Sequence, residues 1–210
     1  MKLCHINHDK TKLIIFFGGF YTDENCFCDF DCGESDILFV YDYSEINPDI
    51  FDDFDFTPYV KINLIAYSYG VWACGLIKNE LPEINNSVAI CGTFMPVDDN
   101  YGVPKRVFDI MLNALSETTL EDFERKMFHG VDMKKSLRTL ENLRSELDNI
   151  AALAHLKSNF DFDKVIIARR DRIIPYASQM NFWAQHPNKT IVETGHFPFE
   201  ELGNFELALN

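Results

Sequence analysis

Ser68 is the residue of this chain best placed to act as a nucleophile. It ends the apolar run Leu64-Ile65-Ala66-Tyr67 and is followed by Tyr69-Gly70 and a helix-length segment. A strand, a sharp turn carrying serine, then a helix is the layout of the nucleophile elbow G-x-S-x-G, here with Ala66 in the first glycine position. That position requires a very small side chain, because strand and helix approach closely around the turn, and alanine adds one methyl. A serine hydroxyl is a weak nucleophile at neutral pH and needs a base. Four histidines follow Ser68: His129, His155, His186 and His196. His196 lies in Glu193-Thr194-Gly195-His196-Phe197, just past the last strand-like run, where a loop at the carboxyl edge of a sheet presents an imidazole to the elbow. His129 and His155 fall in a helical stretch, and His186, before Pro187, reads as a helix cap. The acid that orients the imidazole is expected after the penultimate strand, which places Asp171 of Arg169-Arg170-Asp171-Arg172 in that role. Its competing readings are a salt bridge to a flanking arginine or a helix cap. Asp161 and Asp163 precede the strand and belong at the opposite edge.

Attack on a carbonyl also needs donors for the oxyanion, ordinarily two backbone N–H groups. One is expected from Tyr69, directly after the serine. The other is expected from Phe20, in the loop Phe17-Gly18-Gly19-Phe20 after the first strand. No G-x-x-x-x-G-K-[ST] pattern follows the glycine pair, so a phosphate cradle is not expected there. Cys26, Cys28 and Cys32 cluster in acidic, aromatic sequence, but their spacing fits no paired zinc pattern, and free thiols in a loop are expected. The chemistry requires neither metal nor organic cofactor.

The elements that must position these residues follow from hydrophobic patterning. Apolar runs occur at 12–17, 37–41, 62–67, 88–91, 165–168 and 190–193, mostly continuous rather than alternating. Continuous runs mark strands buried on both faces, as in a parallel sheet covered by helices. Helix-length segments lie between them, at 71–80 before Pro82 and at 175–185 before Pro187. The fold class is therefore α/β, a mostly parallel sheet of about six strands with helices on both faces. The stretch from about 104 to 157 contains no strand and carries apolar residues at spacings of three and four: Val107, Ile110, Met111, Ala114 and Leu115, then Leu120, Phe123 and Met127, then Leu137 to Leu153. It reads as an all-helical insertion within a single domain spanning 1–210; the alternative is that its stripes face the main core. Thr118 and Glu121 fit a capping box, which sets a helix start there. The acidic run at 49–55 reads as a solvated loop with its phenylalanines turned inward.

The 210 residues carry 19 basic and 33 acidic side chains, a net charge of −14. That argues against a nucleic-acid binder, which needs a basic face, and disfavours an anionic membrane surface. No apolar run is long enough to span a bilayer, and the first ten residues lack the apolar core of a signal peptide, so a cytoplasmic protein is expected. The charge is unevenly spread. The first hundred residues hold 5 basic against 17 acidic residues, whereas residues 101–160 hold 9 of each.

The whole constellation resembles an α/β-hydrolase, and more closely the pimeloyl-acyl-carrier-protein methyl ester esterases of the BioG type. The resemblance runs nearly the length of the chain. It rests on Phe16-Phe17-Gly18-Gly19-Phe20, Tyr41-Asp42-Tyr43, Ala66-Tyr67-Ser68-Tyr69-Gly70-Val71-Trp72, Gly92-Thr93 with Pro96 and Asp98-Asp99, Tyr101-Gly102-Val103-Pro104, Arg170-Asp171-Arg172 and Gly195-His196. It implies that Ser68, Asp171 and His196 form a triad that hydrolyses the methyl ester of a carrier-bound acyl chain in biotin synthesis. It also implies that the helical insertion is a lid receiving an acyl-carrier protein. Arg125, Arg138 and Arg144 of the insertion are then candidates to dock that acidic partner, against the alternative of a solvated face of i,i+4 ion pairs. Two departures from common hydrolase patterns stand out: Ala66 at the elbow, and Gly18 where many relatives carry histidine. The chain also begins almost directly at the oxyanion strand. The competing functions are a general carboxylesterase or acyl thioesterase using the same triad, and a non-catalytic hydrolase scaffold that binds an acyl ligand or a protein.

Overall fold

A computed structural model of the chain describes residues 1–28, 30–131, 134–203 and 205–209. Seven strands form one sheet: β1 (Lys2–Ile6), β2 (Lys12–Phe17), β3 (Ser35–Tyr41), β4 (Lys61–Tyr67), β5 (Asn86–Ile90), β6 (Lys164–Ala168) and β7 (Lys189–Val192). Their order is β1-β3-β2-β4-β5-β6-β7, and all pair in parallel except β1, which runs antiparallel to β3. The six apolar runs each form a strand. The seventh strand, β1, is an addition to that expectation. It lies at the sheet edge, where none of its residues is fully buried, so Lys-Leu-Cys-His-Ile suffices without a continuous apolar run. By contrast, Leu13–Phe17, Ile62–Tyr67 and Val165–Ala168 are buried throughout, as strands covered on both faces must be.

The helices are α1 (Glu24–Phe27), α2 (Tyr69–Leu76), α3 (Lys105–Ala114), α4 (Glu117–Phe128), α5 (Leu140–Leu153), α6 (Tyr176–Phe182), α7 (Phe199–Leu202) and α8 (Phe205–Leu209). The chain passes from β2 outward to β3 and then back across β2 to β4. Crossovers between parallel strands are right-handed as a rule, so connections on either side of such a reversal fall on opposite faces of the sheet. The reversal also opens a crevice at the carboxyl ends of the strands, where ligands bind in open α/β sheets. Register brings those ends level: Phe17 pairs with Ala66, Tyr67 with Ile90, and Ala168 with Val192.

Helices α3, α4 and α5 occupy the segment between β5 and β6. The capping box that starts α4 is Ser116 with Thr119, two residues earlier than the Thr118–Glu121 pair: Ser116 Oγ accepts from the Thr119 N–H, and Thr119 Oγ1 accepts from the Ser116 N–H. The apolar stripe of α3 does not simply enter the core. Val107 and Ile110 are exposed, and they line a cavity described below.

Two polar clusters tie this segment to the loops after β2 and β3. Asp23 Oδ2 accepts from Ser136 Oγ (2.8 Å) and the Leu137 N–H (2.6 Å), while Tyr21 donates to Glu124 (2.7 Å). Deeper in, Arg138 bridges Asp42 (3.0 Å) and Glu146 (2.7 Å). Arg138 was a candidate for docking a partner; its side chain is instead only 3% exposed. Two carboxylates, one from the loop after β3 and one from α5, draw the guanidinium inward, because a buried charge requires paired and hydrogen-bonded neighbours. Glu146 also accepts the Tyr43 N–H (3.0 Å), and the Tyr43 hydroxyl donates to the Gly18 carbonyl (2.7 Å). The network thus runs from α5 to the loop that follows β2. In the acidic run at 49–55, Phe51 is buried and the aspartates at 52, 53 and 55 face solvent.

Candidate active site

Ser68 stands alone between the end of β4 and the start of α2, with φ 55° and ψ −124°. A non-glycine residue at positive φ is strained, and here the strain lifts the hydroxyl clear of the sheet. The turn is held by the Ser68 N–H, which donates to the Ile90 carbonyl (2.9 Å). Gly70 permits it: a Cβ at this position would lie 2.3 Å from the Phe17 carbonyl oxygen and 2.5 Å from that of Gly18. Only glycine lets the first turn of α2 rest on the end of β2. On the strand side Ala66 is fully buried, so its single methyl is accommodated.

His196 follows β7 and is 1% exposed. Its Nδ1 lies 2.7 Å from Asp171 Oδ2 and its Nε2 lies 2.9 Å from Ser68 Oγ. A carboxylate accepts only, so Nδ1 carries the proton and Nε2 is left to accept the Ser68 O–H. Asp171 sits in the turn after β6, where its Oδ1 accepts the N–H groups of Ile173 (2.8 Å) and Ile174 (3.0 Å). Asp171 is thus no helix cap, since Pro175 is the N-cap of α6; its Oδ1 closes its own turn while Oδ2 faces His196. Among the described residues none of Arg169, Arg170 and Arg172 pairs with it; Arg169 pairs instead with Glu193 (2.7 Å) and lies over the Tyr176 ring.

A fourth side chain completes this group, and sequence reasoning missed it. Gln179 of α6 is fully buried, and its Nε2 donates to Asp171 Oδ2 (2.8 Å) and to the Ile174 carbonyl (2.8 Å). A single glutamine on a short helix carries no pattern that would single it out.

The loop after β2 passes directly against the serine. A Cβ on Gly19 would lie 2.9 Å from Ser68 Cβ and 3.3 Å from its hydroxyl oxygen. Phe20 and Tyr69 line the same cavity as Ser68. Tyr69 is the first residue of α2, where an N–H has no intrahelical acceptor. Among the described residues, the Phe20 amide likewise has no acceptor. Both are suited to receive a developing oxyanion. The Phe20 ring is held edge-on against Phe123 of α4 at 5.3 Å.

The cavity has a volume of about 220 Å³ and is mostly apolar, lined by Val103, Val107, Ile110, Met111, Phe123 and Ile173. Its charged members are Asp122, Lys126 and Arg172, all exposed. Neither Lys126 nor Arg172 has an ion-pair partner among the described residues. Of the other docking candidates, Arg125 pairs with Asp122, and Arg144 donates to the Leu112 (2.9 Å) and Leu115 (3.1 Å) carbonyls at the end of α3.

The remaining histidines form no hydrogen bond with this group among the described residues, although His129 packs against Gly195, next to His196. His186 Nε2 meets the Phe162 carbonyl (2.8 Å), tying the end of α6 to the entry of β6, while His129 and His155 are exposed. Cys91, near Asp171, is no rival nucleophile: burial raises its thiol well above the usual range, and the Asp171 charge adds to that effect. Burial likewise keeps the hydroxyls of Tyr67 and Tyr69 protonated. Among the described residues no group of three or more His, Cys, Asp or Glu is placed to hold a metal ion, and no helix is long and apolar enough to cross a membrane.

Comparison with known proteins bears on the family and the fold. The family described as pimeloyl-ACP methyl esterase BioG matches residues 1–208. A malonyl-[acyl-carrier protein] O-methyltransferase of Bacteroides fragilis is 32% identical over 192 residues, which cover 86% of this chain and 38% of that protein. The chain thus spans little more than a third of that relative's length. The crystal structure of BioG from Haemophilus influenzae superposes with a TM-score of 0.87 at 25% identity, covering 100% of both chains. A lipase-esterase related protein from Clostridium acetobutylicum superposes at 0.62 with 14% identity, covering 94% of this chain and 93% of that one, a likeness of fold alone. The fold is that of a compact α/β-hydrolase, and, with the match extending over residues 1–208, the chain belongs to the BioG family.

Proposed function

We propose that the chain is a serine esterase that hydrolyses the methyl ester of a pimeloyl chain carried by acyl-carrier protein, acting in the cytoplasm in biotin synthesis. The observation that carries this reading is the hydrogen-bonded series Asp171–His196–Ser68, opening on an apolar cavity in a chain of the BioG family. In the first step His196 Nε2 takes the Ser68 proton as Oγ attacks the ester carbonyl. Asp171 holds the imidazole and stabilises its positive charge. The Phe20 and Tyr69 N–H groups receive the oxyanion. His196 returns the proton to the leaving methoxide, and methanol departs from an acyl-enzyme. Water, deprotonated by His196, then releases the carboxylate, which stays attached to its carrier.

Helices α3 to α5 act as a lid on this reading. The methylene chain lies along Val107, Met111 and Phe123, and the carrier remains outside, where Lys126 and Arg172 complement its acidic surface or prosthetic phosphate. The Bacteroides relative supports a carrier-bound substrate: a protein named for O-methylation of an acyl-carrier-protein substrate includes a segment similar to this chain.

The test is methyl-ester cleavage on pimeloyl-carrier substrate and on a free methyl ester, wild type against Ser68→Ala. Wild type should prefer the carrier-linked ester, and Ser68→Ala should lose about six orders of magnitude in kcat while remaining folded. Undiminished cleavage by Ser68→Ala would overturn the serine mechanism, and equal use of both esters would overturn the carrier assignment.

A further inference from the structure

We propose that Gln179 is a positioning residue of the triad, holding the Asp171 carboxylate in the one rotation that serves His196. The proposal rests on the serine-esterase reading above and deepens it. Both partners of Gln179 Nε2, the Asp171 carboxylate and the Ile174 carbonyl, are pure acceptors. That settles the amide's orientation, since only its NH₂ end can face them. The consequence is that Gln179 Oε1 points into the interior with no donor among the described residues. A buried acceptor left without a partner is destabilising. Packing alone therefore does not explain a glutamine here, because leucine would fill a similar volume without an orphaned oxygen.

What the glutamine provides is at the carboxylate. Asp171 Oδ1 is fixed by two backbone N–H groups of its own turn. Oδ2, the oxygen that faces His196 Nδ1 at 2.7 Å, has one further donor, Gln179 at 2.8 Å. With both oxygens anchored, rotation of the carboxylate is blocked and Oδ2 stays in line with the Nδ1–H. A neutral donor suits this place. A lysine would hold the same oxygen but would compete, as a full positive charge, with the imidazolium that forms during attack. The second Nε2 bond, to Ile174, ties α6 to the Asp171 turn, so the donor is itself held.

Gln179→Leu tests this, with Gln179→Met as the alternative should the leucine variant not fold. Four readouts apply: thermal stability, kcat and KM on a p-nitrophenyl ester, the rate at which Ser68 is labelled by a fluorophosphonate, and the low-field proton resonance of the His196 Nδ1–H. The expected result is a modest loss of stability, since the Ile174 carbonyl and Asp171 Oδ2 lose a donor, with unchanged KM, and with kcat per folded molecule and labelling rate both lower by about ten- to a hundredfold. The low-field resonance should broaden or move. A folded variant with wild-type kcat and labelling rate overturns the role, as does a fall in stability with unchanged turnover per folded molecule, which would mark a purely structural residue. Ser68→Ala run alongside separates the two levels. If it is inactive while Gln179→Leu is unimpaired, the positioning role alone falls; if Ser68→Ala keeps its activity, the esterase reading falls and takes this role with it.

Discussion

Asp171 accepts the Nδ1–H of His196 and so leaves the Nε2 lone pair to accept the Ser68 hydroxyl. Asparagine at this position would present either its oxygen or its amide to the ring. If the amide faces Nδ1, the proton moves to Nε2 and the base is lost. Even with the oxygen in place, the developing imidazolium has no counter-charge. Asp171→Asn should therefore fold normally and lose about ten-thousandfold in kcat. Steady-state hydrolysis of a short-chain ester at neutral pH measures this, and turnover within tenfold of wild type would assign the acid elsewhere. That Ser68, Asp171 and His196 would meet was legible because each lies just past a strand, in the chain order the fold prescribes. Phe20 and Tyr69 could be named as candidate oxyanion donors because that proposal concerns backbone groups, set by position rather than by side chain. The places of Gln179 and Arg138 were not legible. Arg138 takes its place from Asp42, 96 residues away; Gln179 lies only 8 residues from Asp171 and 5 from Ile174, but a lone glutamine on a short helix follows no pattern that marks such a bond. Nothing in the residues beside Arg138 separates it from Arg125, which lies at the surface.

The elements divide in the same way. Strands β2 to β6 announced themselves because burial on both faces demands continuous apolar sequence, whereas the edge strands need less: β1 is only partly covered and carries no continuous apolar run, and β7 shows a short β-branched run of which only Val192 is buried. The helices at 104–157 were legible from their period, but not which way their apolar residues turn. Val107 and Ile110 face the cavity rather than the core. One of the two polar clusters that tie this segment down, the ionic one at Asp42 that holds α5, makes a pH prediction. Burial alone would raise the Asp42 carboxyl, but Ser44, Arg138, Asn142 and Lys2 together outweigh it and hold it at about 2, below its ordinary 3.8. A carboxyl depressed on folding binds its proton more readily in the unfolded chain. Its stabilising contribution is thus complete above the unfolded value and is lost as pH falls through the folded one. Asp42→Asn should therefore be less stable than wild type at neutral pH, and the gap should narrow between pH 4 and 2, as denaturant unfolding at a series of pH values would show. A gap that stays constant across that range would mean that Asp42 is not held ionised by the cluster.

On the scale of the whole molecule the charge of −14 is misleading as an average. Most of the excess acid lies in the first hundred residues, and the helical segment is balanced. Within that balance much of the basic charge is already engaged. Arg138 is buried, Arg144 caps α3, Arg125 pairs with Asp122, and Lys135 pairs with Glu124 (2.9 Å). At the cavity that holds Ser68, Lys126 of this segment and Arg172 of the turn after β6 are exposed and without ion-pair partners among the described residues. An acidic molecule approaching this chain is repelled by most of its surface, so two cations beside the entrance bear on where it can settle as well as on how tightly. Interactions of this kind act chiefly on encounter and weaken with salt, since charges more than about 8 Å apart are screened at physiological ionic strength. The double variant Lys126→Glu with Arg172→Glu should therefore lose about tenfold more kcat/KM on a carrier-linked ester than on a free ester of the same acid. Raising the salt concentration should reduce wild-type turnover of the carrier-linked ester toward that of the variant, while leaving the free ester less affected. If reversal depresses both substrates equally at every salt concentration, the two cations serve the cavity itself, and the carrier is recognised on another face.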